Sequence, residues 1–363
     1  MLIRQLIKSG RAVAYIESPL LPSAHPYVTL SVAQGDRVEI IKKYRFVSTY
    51  APISRVHEVL LTLFLPIFYN FRSARCITSD PLTTLPAVIL RKIGFFKYVY
   101  YHCIDYSKKR FKNKLINAIY RTLLYVGLHR ADLVGCVTKK TMETVRETGA
   151  EKLFYIPNSL SVEEFSKHYR PVNARDKYSM ALTCAGVSEQ YRVLDLVKLT
   201  DRLSKVYPSI KLIVIGSKEF ERKEYDQIQN YINVNRLNAF VIFTGQLSRD
   251  DSIKAVAKCW IGLAFYNKNY SHVNFGDSLK IREYAALGVP IVSDRTTPTS
   301  IEMEDLGAGV VVNEPWDAFD SIAKLFDDPV FYESLSQKAL AWAKSVDKSA
   351  IVDNLIKNYL EKQ

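Results

Sequence analysis

Residues 276–293 hold the side chains of this chain best placed to do chemistry. They run Gly276-Asp277-Ser278-Leu279-Lys280-Ile281-Arg282-Glu283-Tyr284-Ala285-Ala286-Leu287-Gly288-Val289-Pro290-Ile291-Val292-Ser293. Asp277 or Ser278 can cap a helix, Gly288 suits the left-handed position that ends one, and Pro290 forbids continuation into the apolar run that follows. Ile281, Ala285 and Gly288 fall on one face and can pack on a sheet, whereas Lys280 and Glu283, three residues apart, share the other. A carboxylate then sits one turn inside a helix whose free N-terminal N–H groups, at the positive end of the dipole, can hold a phosphate. Taken alone, the same helix is equally compatible with an exposed Lys280–Glu283 ion pair that does no chemistry. Elsewhere, Tyr101-His102-Cys103-Ile104-Asp105-Tyr106 puts an imidazole and a carboxylate at the end of an apolar run, where general acid–base work or hydrogen bonding to a polar substrate is possible.

These groups need elements to carry them. From residue 178 onward, apolar runs of strand length (179–185, 211–215, 240–244, 261–265, 290–293, 309–312) alternate with amphipathic segments of helix length (193–206, 219–232, 250–257, 279–287, 300–305). That alternation predicts a parallel sheet covered on both faces, with ligands beyond the C-terminal strand ends. The first half is less regular. It predicts strands at 12–17, 37–41, 74–78, 98–103, 133–137 and 153–156 and helices at 57–68, 82–93, 114–129 and 139–148. The polar, aperiodic stretch 157–176 contains two prolines and reads as the crossing between domains. The expected fold class is α/β, with two doubly wound Rossmann-like domains facing across a cleft: 1–165 N-terminal, 177–340 C-terminal, and a helical tail over 341–363 packing back toward the first.

The segment 276–293 resembles a signature of the large group 1 family of GT-B glycosyltransferases, which includes glycogen synthases, sucrose synthases and bacterial mannosyltransferases. Further matches support the resemblance along most of the chain. Ile156-Pro157-Asn158-Ser159 with Phe165 is similar to the family's Ile-Pro-Asn-Gly hinge, with Ser159 in place of its glycine. Arg130-Ala131-Asp132-Leu133-Val134 resembles the strand lead-in before it, and Lys211 to Gly216 and Phe243-Thr244-Gly245 resemble two C-terminal strands.

The resemblance implies a site. Glu283 takes the place of the glutamate that binds the ribose hydroxyls, and Lys280 matches a lysine some members carry three residues earlier. The family's first glutamate, eight residues before the second and in contact with the donor sugar, falls here at Phe275. Gly186 matches the glycine of the diphosphate loop. The arginine expected just after it is replaced by Val187, leaving Arg192 as the nearest cation. Gly245, Gly276, Ser278 and Leu279 complete the implied donor site. His102 is placed at a strand end that in the family lies near sugar and acceptor, with Asp105 positioned to orient the acceptor or accept its proton. The resemblance also implies retention of configuration, with no protein nucleophile assigned. The nucleotide-sugar, UDP or GDP, is the donor substrate; no separate cofactor is expected, and no Asp-x-Asp metal motif is present. The loop 18–26 lacks the family's glycines, which leaves His25 as a weak candidate for the acceptor.

Composition restricts the alternatives. A chain of 363 residues with 48% apolar content can bury two cores. The longest apolar segment, 56–71, contains Pro66 and polar residues and is too short to span a bilayer, and residues 1–16 lack the apolar core of a secretory signal. Five separated cysteines with no Cys-x-x-Cys pair fit reduced thiols in a cytoplasmic protein. Residues 1–171 carry 26 Lys+Arg against 12 Asp+Glu, and the rest 24 against 25, so all the excess basicity is N-terminal. Such a split points to an anionic partner: a membrane surface or a lipid-linked or glycan acceptor, with peripheral attachment at the cytoplasmic face. The run 108–114 and the apolar segment 56–71 are the candidates for that attachment. A nucleic-acid module is the rival reading, but no reading helix, zinc site or aromatic ribonucleoprotein motif accompanies the charge, and no nucleic acid is expected. An epimerase or inactive subunit of the same fold is the other, raised by Phe275.

Overall fold

A computed structural model describes residues 3, 6, 7, 10–19, 25–35, 37–72, 74–158, 160–218 and 221–357. Residues 20–24 of the glycine-free loop, Ser159, the start of the expected helix at 219 and the last six residues lie outside the described residues. The chain forms two compact units, Met1–Ile156 with Ser349–Gln363, and Pro157–Lys348.

In the first unit β1 (Val13–Glu17), β2 (Tyr27–Gln34) and β3 (Arg37–Arg45) form an antiparallel sheet in the order β1-β2-β3. The strands expected at 12–17 and 37–41 are thus present, but they pair with an additional strand, β2, instead of joining the parallel sheet. β2 was missed because Tyr27-Val28-Thr29-Leu30 follows two prolines. Those prolines mark a turn without showing what comes after it. A separate parallel sheet runs in the order β4 (Arg75–Thr78), β5 (Tyr98–Cys103), β6 (Leu133–Cys136), β7 (Leu153–Tyr155). The helices between are α1 (Ala51–Phe68), α2 (Pro81–Lys92), α3 (Lys114–Arg130) and α4 (Lys139–Glu147). Their starts follow capping chemistry: Asp80 accepts from the N–H groups of Leu82 and Thr83, Asn113 from Leu115 and Ile116, and Thr138 from Thr141. Asp132, just before β6, accepts from Arg91 Nε at 3.0 Å and Val99 N at 2.8 Å, which fixes the lead-in to that strand.

The second unit contains one six-stranded parallel sheet. In chain order its elements are α5 (Val162–Ser166), β8 (Asp176–Gly186), α6 (Val193–Ser204), β9 (Lys211–Ser217), α7 (Arg222–Val234), β10 (Val241–Gly245), α8 (Arg249–Lys258), β11 (Cys259–Ala264), α9 (Leu279–Ala286), β12 (Ile291–Asp294), α10 (Pro298–Asp305), β13 (Val310–Val312), α11 (Ala318–Asp327) and α12 (Pro329–Ser345). The strand order β10-β9-β8-β11-β12-β13 reverses between β8 and β11. Ligands of such sheets bind at this switch, beyond the C-terminal strand ends. Two apolar clusters, one containing Leu182, Val214 and Phe265 and the other Ile281, Tyr284 and Ile291, form the core.

α9 is fixed to this sheet at both ends. Tyr284 is fully buried, and its hydroxyl receives the N–H of Thr183 at 2.8 Å. Its ring lies where a Cβ on Gly262 would stand, so the glycine in β11 is what lets the helix approach so closely. At the C-terminus, Val289 N donates to Tyr284 O and Gly288 N to Ala285 O, with Gly288 at φ +63°, as the Schellman motif requires. The carbonyls left over at Leu287 and Gly288 accept from the buried guanidinium of Arg175, at 2.9 and 2.7 Å. After α12 the chain forms α13 (Lys348–Leu355), whose Val352 and Leu355 join Leu6, Tyr98, Tyr100, Leu133 and Ile156 in the core of the first unit.

Candidate functional site

The first turn of α9 forms the centre of the site, and its side chains are arranged differently from the simple amphipathic pattern. Ser278 occupies the cap position without capping: its Oγ lies 2.5 Å from the Tyr266 hydroxyl, and its N–H donates to Thr299 Oγ1 at 2.8 Å. Asp277 turns inward, where it accepts from Arg282 Nε at 2.8 Å, Thr299 Oγ1 at 2.7 Å and Asn158 N at 2.5 Å. Arg282 continues this buried chain to Glu302 at 3.0 Å. This polar network ties the helix start to α10 and to the beginning of the unit.

Lys280 does not share an exposed face with Glu283. It is buried, and its Nζ has no hydrogen-bond partner among the described residues. The ammonium stands 4.1 Å from the ring centroid of Tyr191 and 4.9 Å from that of Tyr266, within cation–π range of both. Burial lowers its pKa from 10.5 to about 8. Ser188 Oγ, in the segment that leads from β8 to Tyr191, is likewise buried with no partner among the described residues. A buried cation and a buried hydroxyl left without acceptors or donors are what an anion would satisfy.

Glu283 pairs with Arg249, at the start of α8, at 3.2 Å; Arg249 also holds Glu164 at 3.0 Å. Burial raises the pKa of Glu283, with Arg249 opposing the shift. The exposed Lys280–Glu283 pair considered from the sequence is therefore replaced by two separate arrangements. Leu279 is exposed beside them.

Gly186 ends β8, and Val187 N after it donates to Ser217 O at 2.9 Å, which aims the following segment back over the sheet edge toward Lys280. Arg192 is in the left-handed region at φ 52° and is gripped by Asp195 at 2.8 Å and Glu314 at 2.6 Å. Its charge is met by two carboxylates from within the fold. Gly245 ends β10 at φ +75° and turns the chain into α8, the helix that delivers Arg249 to Glu283. Gly276 has the His272 carbonyl 3.1 Å from where a Cβ would sit, and the half-buried Phe275 precedes it. The donor-site candidates Gly276, Ser278, Leu279, Lys280 and Glu283 thus lie together at the start of α9 and in the loop before it, with Tyr191 of the segment after Gly186 over Lys280.

His102 and Asp105 belong to the first unit. His102, the penultimate residue of β5, has Nδ1 3.1 Å from the Tyr100 hydroxyl; Asp105 is exposed, 3.4 Å from Arg110. Sequence reasoning missed Tyr191, Tyr266, Ser188 and Asp294. Asp294, at the C-terminal end of β12, accepts from Tyr266 N at 2.6 Å and Thr296 N at 3.0 Å, and so sets the loop that carries Tyr266. The position of Tyr266 just after β11, at a C-terminal strand end, was the available signal.

The fold is that of the GT-B glycosyltransferases, and the matches to known proteins make the chain a glycosyltransferase. Residues 165–342 match the model of the family "Glycosyl transferases group 1". It is 22% identical over 300 residues to an uncharacterised glycosyltransferase of Methanocaldococcus jannaschii, covering 76% of this chain and 70% of the relative. Among solved structures it resembles sucrose-phosphate synthase from Thermosynechococcus elongatus (TM-score 0.68, 15% identity, 85% of this chain and 78% of the other). It also resembles Anabaena HepE in complex with UDP (TM-score 0.65, 16% identity, 86% and 82%). A third neighbour is the E. coli trehalose-6-phosphate protein bound with UDP-2-fluoro glucose (TM-score 0.64, 16% identity, 88% and 81%).

Proposed function

We propose that the protein transfers a hexose from a nucleotide-sugar, held by the second unit, to a lipid-linked or polysaccharide acceptor bound by the basic first unit, with retention of configuration. The carrying observation is the buried ammonium of Lys280, without a hydrogen-bond partner, beside the N-terminus of α9. In this reading the diphosphate fills that space. Lys280 neutralises the leaving group, with the N–H groups of the first α9 turn and the segment after Gly186 closing around it. Glu283 binds the ribose hydroxyls, exchanging Arg249 for them. The cation role that Arg192 was expected to play passes to Lys280, because Arg192 is already held by Asp195 and Glu314. His102 hydrogen-bonds the sugar and Asp105 orients the acceptor hydroxyl or takes its proton. No separate cofactor takes part in this reading. HepE and the E. coli trehalose-6-phosphate neighbour are described with UDP or a UDP-sugar, which makes UDP the first base to test. A study of a trehalose-6-phosphate synthase neighbour concerns transfer with retention. Calorimetric titration with UDP, GDP and their hexose conjugates is the direct test: one of the two sets binds, and Glu283→Ala abolishes the binding. No binding by any of them, or binding untouched by that substitution, refutes the donor site.

A further inference from the structure

α1 buries Leu65 and Pro66 near its end, but over most of its length it turns polar side chains inward and apolar ones outward. Its buried positions include the polar Ser54 and Glu58, with Glu58 taking the Arg55 guanidinium at 2.6 Å, whereas Ile53, Val56, Leu60, Phe64 and Ile67 are all exposed. These five recur at intervals of three and four, so they form one continuous stripe along the helix. A helix that merely covers a core does the opposite. Val56 is 62% exposed, and Phe68, at the end of the helix, 81%.

The end of β3 and the residues just after it touch this helix and its C-cap. Val47 N donates to His57 Nδ1 at 3.3 Å, the Phe46 and His57 rings meet edge to face at 5.8 Å, and the Tyr44 and Tyr69 hydroxyls lie 3.0 Å apart. The strand exposes Val38 and Ile40 together with Arg37, Lys42, Lys43 and Arg45. α2 packs against α1 on one side and α3 on the other. Before α3 comes Lys108-Lys109-Arg110-Phe111-Lys112-Asn113-Lys114, with no acidic residue, and after it the exposed Leu115, Ile116 and Ile119. Exposed apolar side chains therefore recur on three elements of one unit, and two of these, β3 and the segment leading into α3, add exposed cations.

We propose that this face seats the protein on an anionic lipid surface, with α1 lying in the interface plane, its stripe in the acyl boundary, and the cations of β3 and 108–114 against the headgroups. Charge complementarity selects the occupant. A second copy of the chain would set like charges against each other, and a nucleic acid would leave the apolar stripe exposed to water. No helix among the described residues is long and apolar enough to cross a membrane, so α1 lies on the surface without spanning it. The proposal goes beyond the donor-site reading and does not depend on it.

The full-length chain should float with phosphatidylcholine vesicles that contain phosphatidylglycerol, and much less with phosphatidylcholine alone, with binding falling as salt rises. Leu60→Glu with Phe64→Glu should lower the vesicle partition coefficient by at least roughly tenfold, and Lys42→Glu with Lys43→Glu should do the same on anionic vesicles only. Both variants should keep the far-ultraviolet circular dichroism and the nucleotide affinity of the parent, because these residues lie outside the donor site. Absence of flotation, equal flotation on neutral vesicles, or unchanged flotation of the Leu60/Phe64 variant overturns the proposal. So does a dimer by light scattering that this variant disperses, since a second copy would then cover the face. Loss of nucleotide binding in the parent protein itself bears on the donor reading alone.

Discussion

Arg249 and Glu283 come from different helices and meet at 3.2 Å, so the carboxylate proposed to bind the ribose is engaged by an arginine of its own fold. Arg249 is half exposed and shared with Glu164, and such pairs contribute only ~0.2–1 kcal/mol. A pair this weak can yield to a ligand. Arg249→Ala should leave nucleotide affinity unchanged or a few-fold tighter, whereas Glu283→Gln should weaken it by roughly tenfold or more. Calorimetry on both variants checks this; a loss on Arg249→Ala as large as on Glu283→Gln would make Arg249 a direct ligand contact instead of a competitor.

Lys280 gives the protein a pH signature. Its folded pKa, about 8, lies below the unfolded value of 10.5 because burial penalises the ammonium, with Cys184, Glu283 and Asp294 pulling the other way. Between about pH 8 and 10.5 the unfolded chain binds more protons than the folded one, so this group makes ligand-free stability rise with pH across that window. Diphosphate affinity should run the other way, falling as the ammonium is lost. Titrations of UDP or GDP from pH 7 to above 9 should show weakening of roughly tenfold in the parent, and Lys280→Met should be weak at every pH. A flat profile in the parent would remove Lys280 from the phosphate site.

The buried Asp277–Arg282 pair is structural. Arg282→Ala strands a carboxylate whose side chain is fully buried, and should cost about 3–5 kcal/mol by urea denaturation. The substitution Arg282→Lys, which cannot reproduce the planar fork reaching Asp277 and Glu302, should recover only part of that. A cost near zero would mean that the network around Thr299 and Asn158 holds Asp277 without its cation.

Gly288 tests how α9 is held. Its φ of +63° disfavours any Cβ, and a Cβ there would come 2.9 Å from Leu340 Cγ on α12. Gly288→Ala should destabilise the protein by about 1–3 kcal/mol in urea melts. Because α9 carries Lys280 and Glu283, nucleotide affinity should fall with it. A stable variant with weakened binding would separate helix position from fold stability.

In the proposed reading His102 and Asp105 serve the sugar and the acceptor, not the nucleotide. His102→Ala and Asp105→Asn should lower the transfer rate by roughly 10²-fold or more while leaving nucleotide affinity near the parent value. Equal loss of both quantities would place them in donor binding.

The second unit was largely legible in the sequence because each signal there is local. Pro290, Gly288 and the apolar runs of 211–215 and 261–265 fix boundaries and periods within a few residues of themselves, and the parallel sheet follows from their alternation. Glu283 was singled out by the resemblance of 276–293 to the family signature, and its site role is the one proposed above. The first unit was less legible. Residues 27–34 joined 13–17 and 37–45 in an antiparallel sheet, since which strand pairs with which depends on partners that a period cannot name.

What the sequence determined by itself was the alternation of strands and helices in the second unit, the helix that begins at 279 and ends at Gly288, the charge split and the family resemblance. Only the tertiary structure decided which polar groups are alone. Lys280 and Glu283 sit three residues apart on one helix, and helical geometry would make them neighbours. The loop after β11 and the segment after β8 bring Tyr266 and Tyr191 over the lysine, and α8 brings Arg249 to the glutamate. The inversion of α1 was decided in the same way, because a helix shows a stripe in its sequence but not which side meets the core. Burial is a property of the neighbours, and those neighbours come from distant parts of the chain.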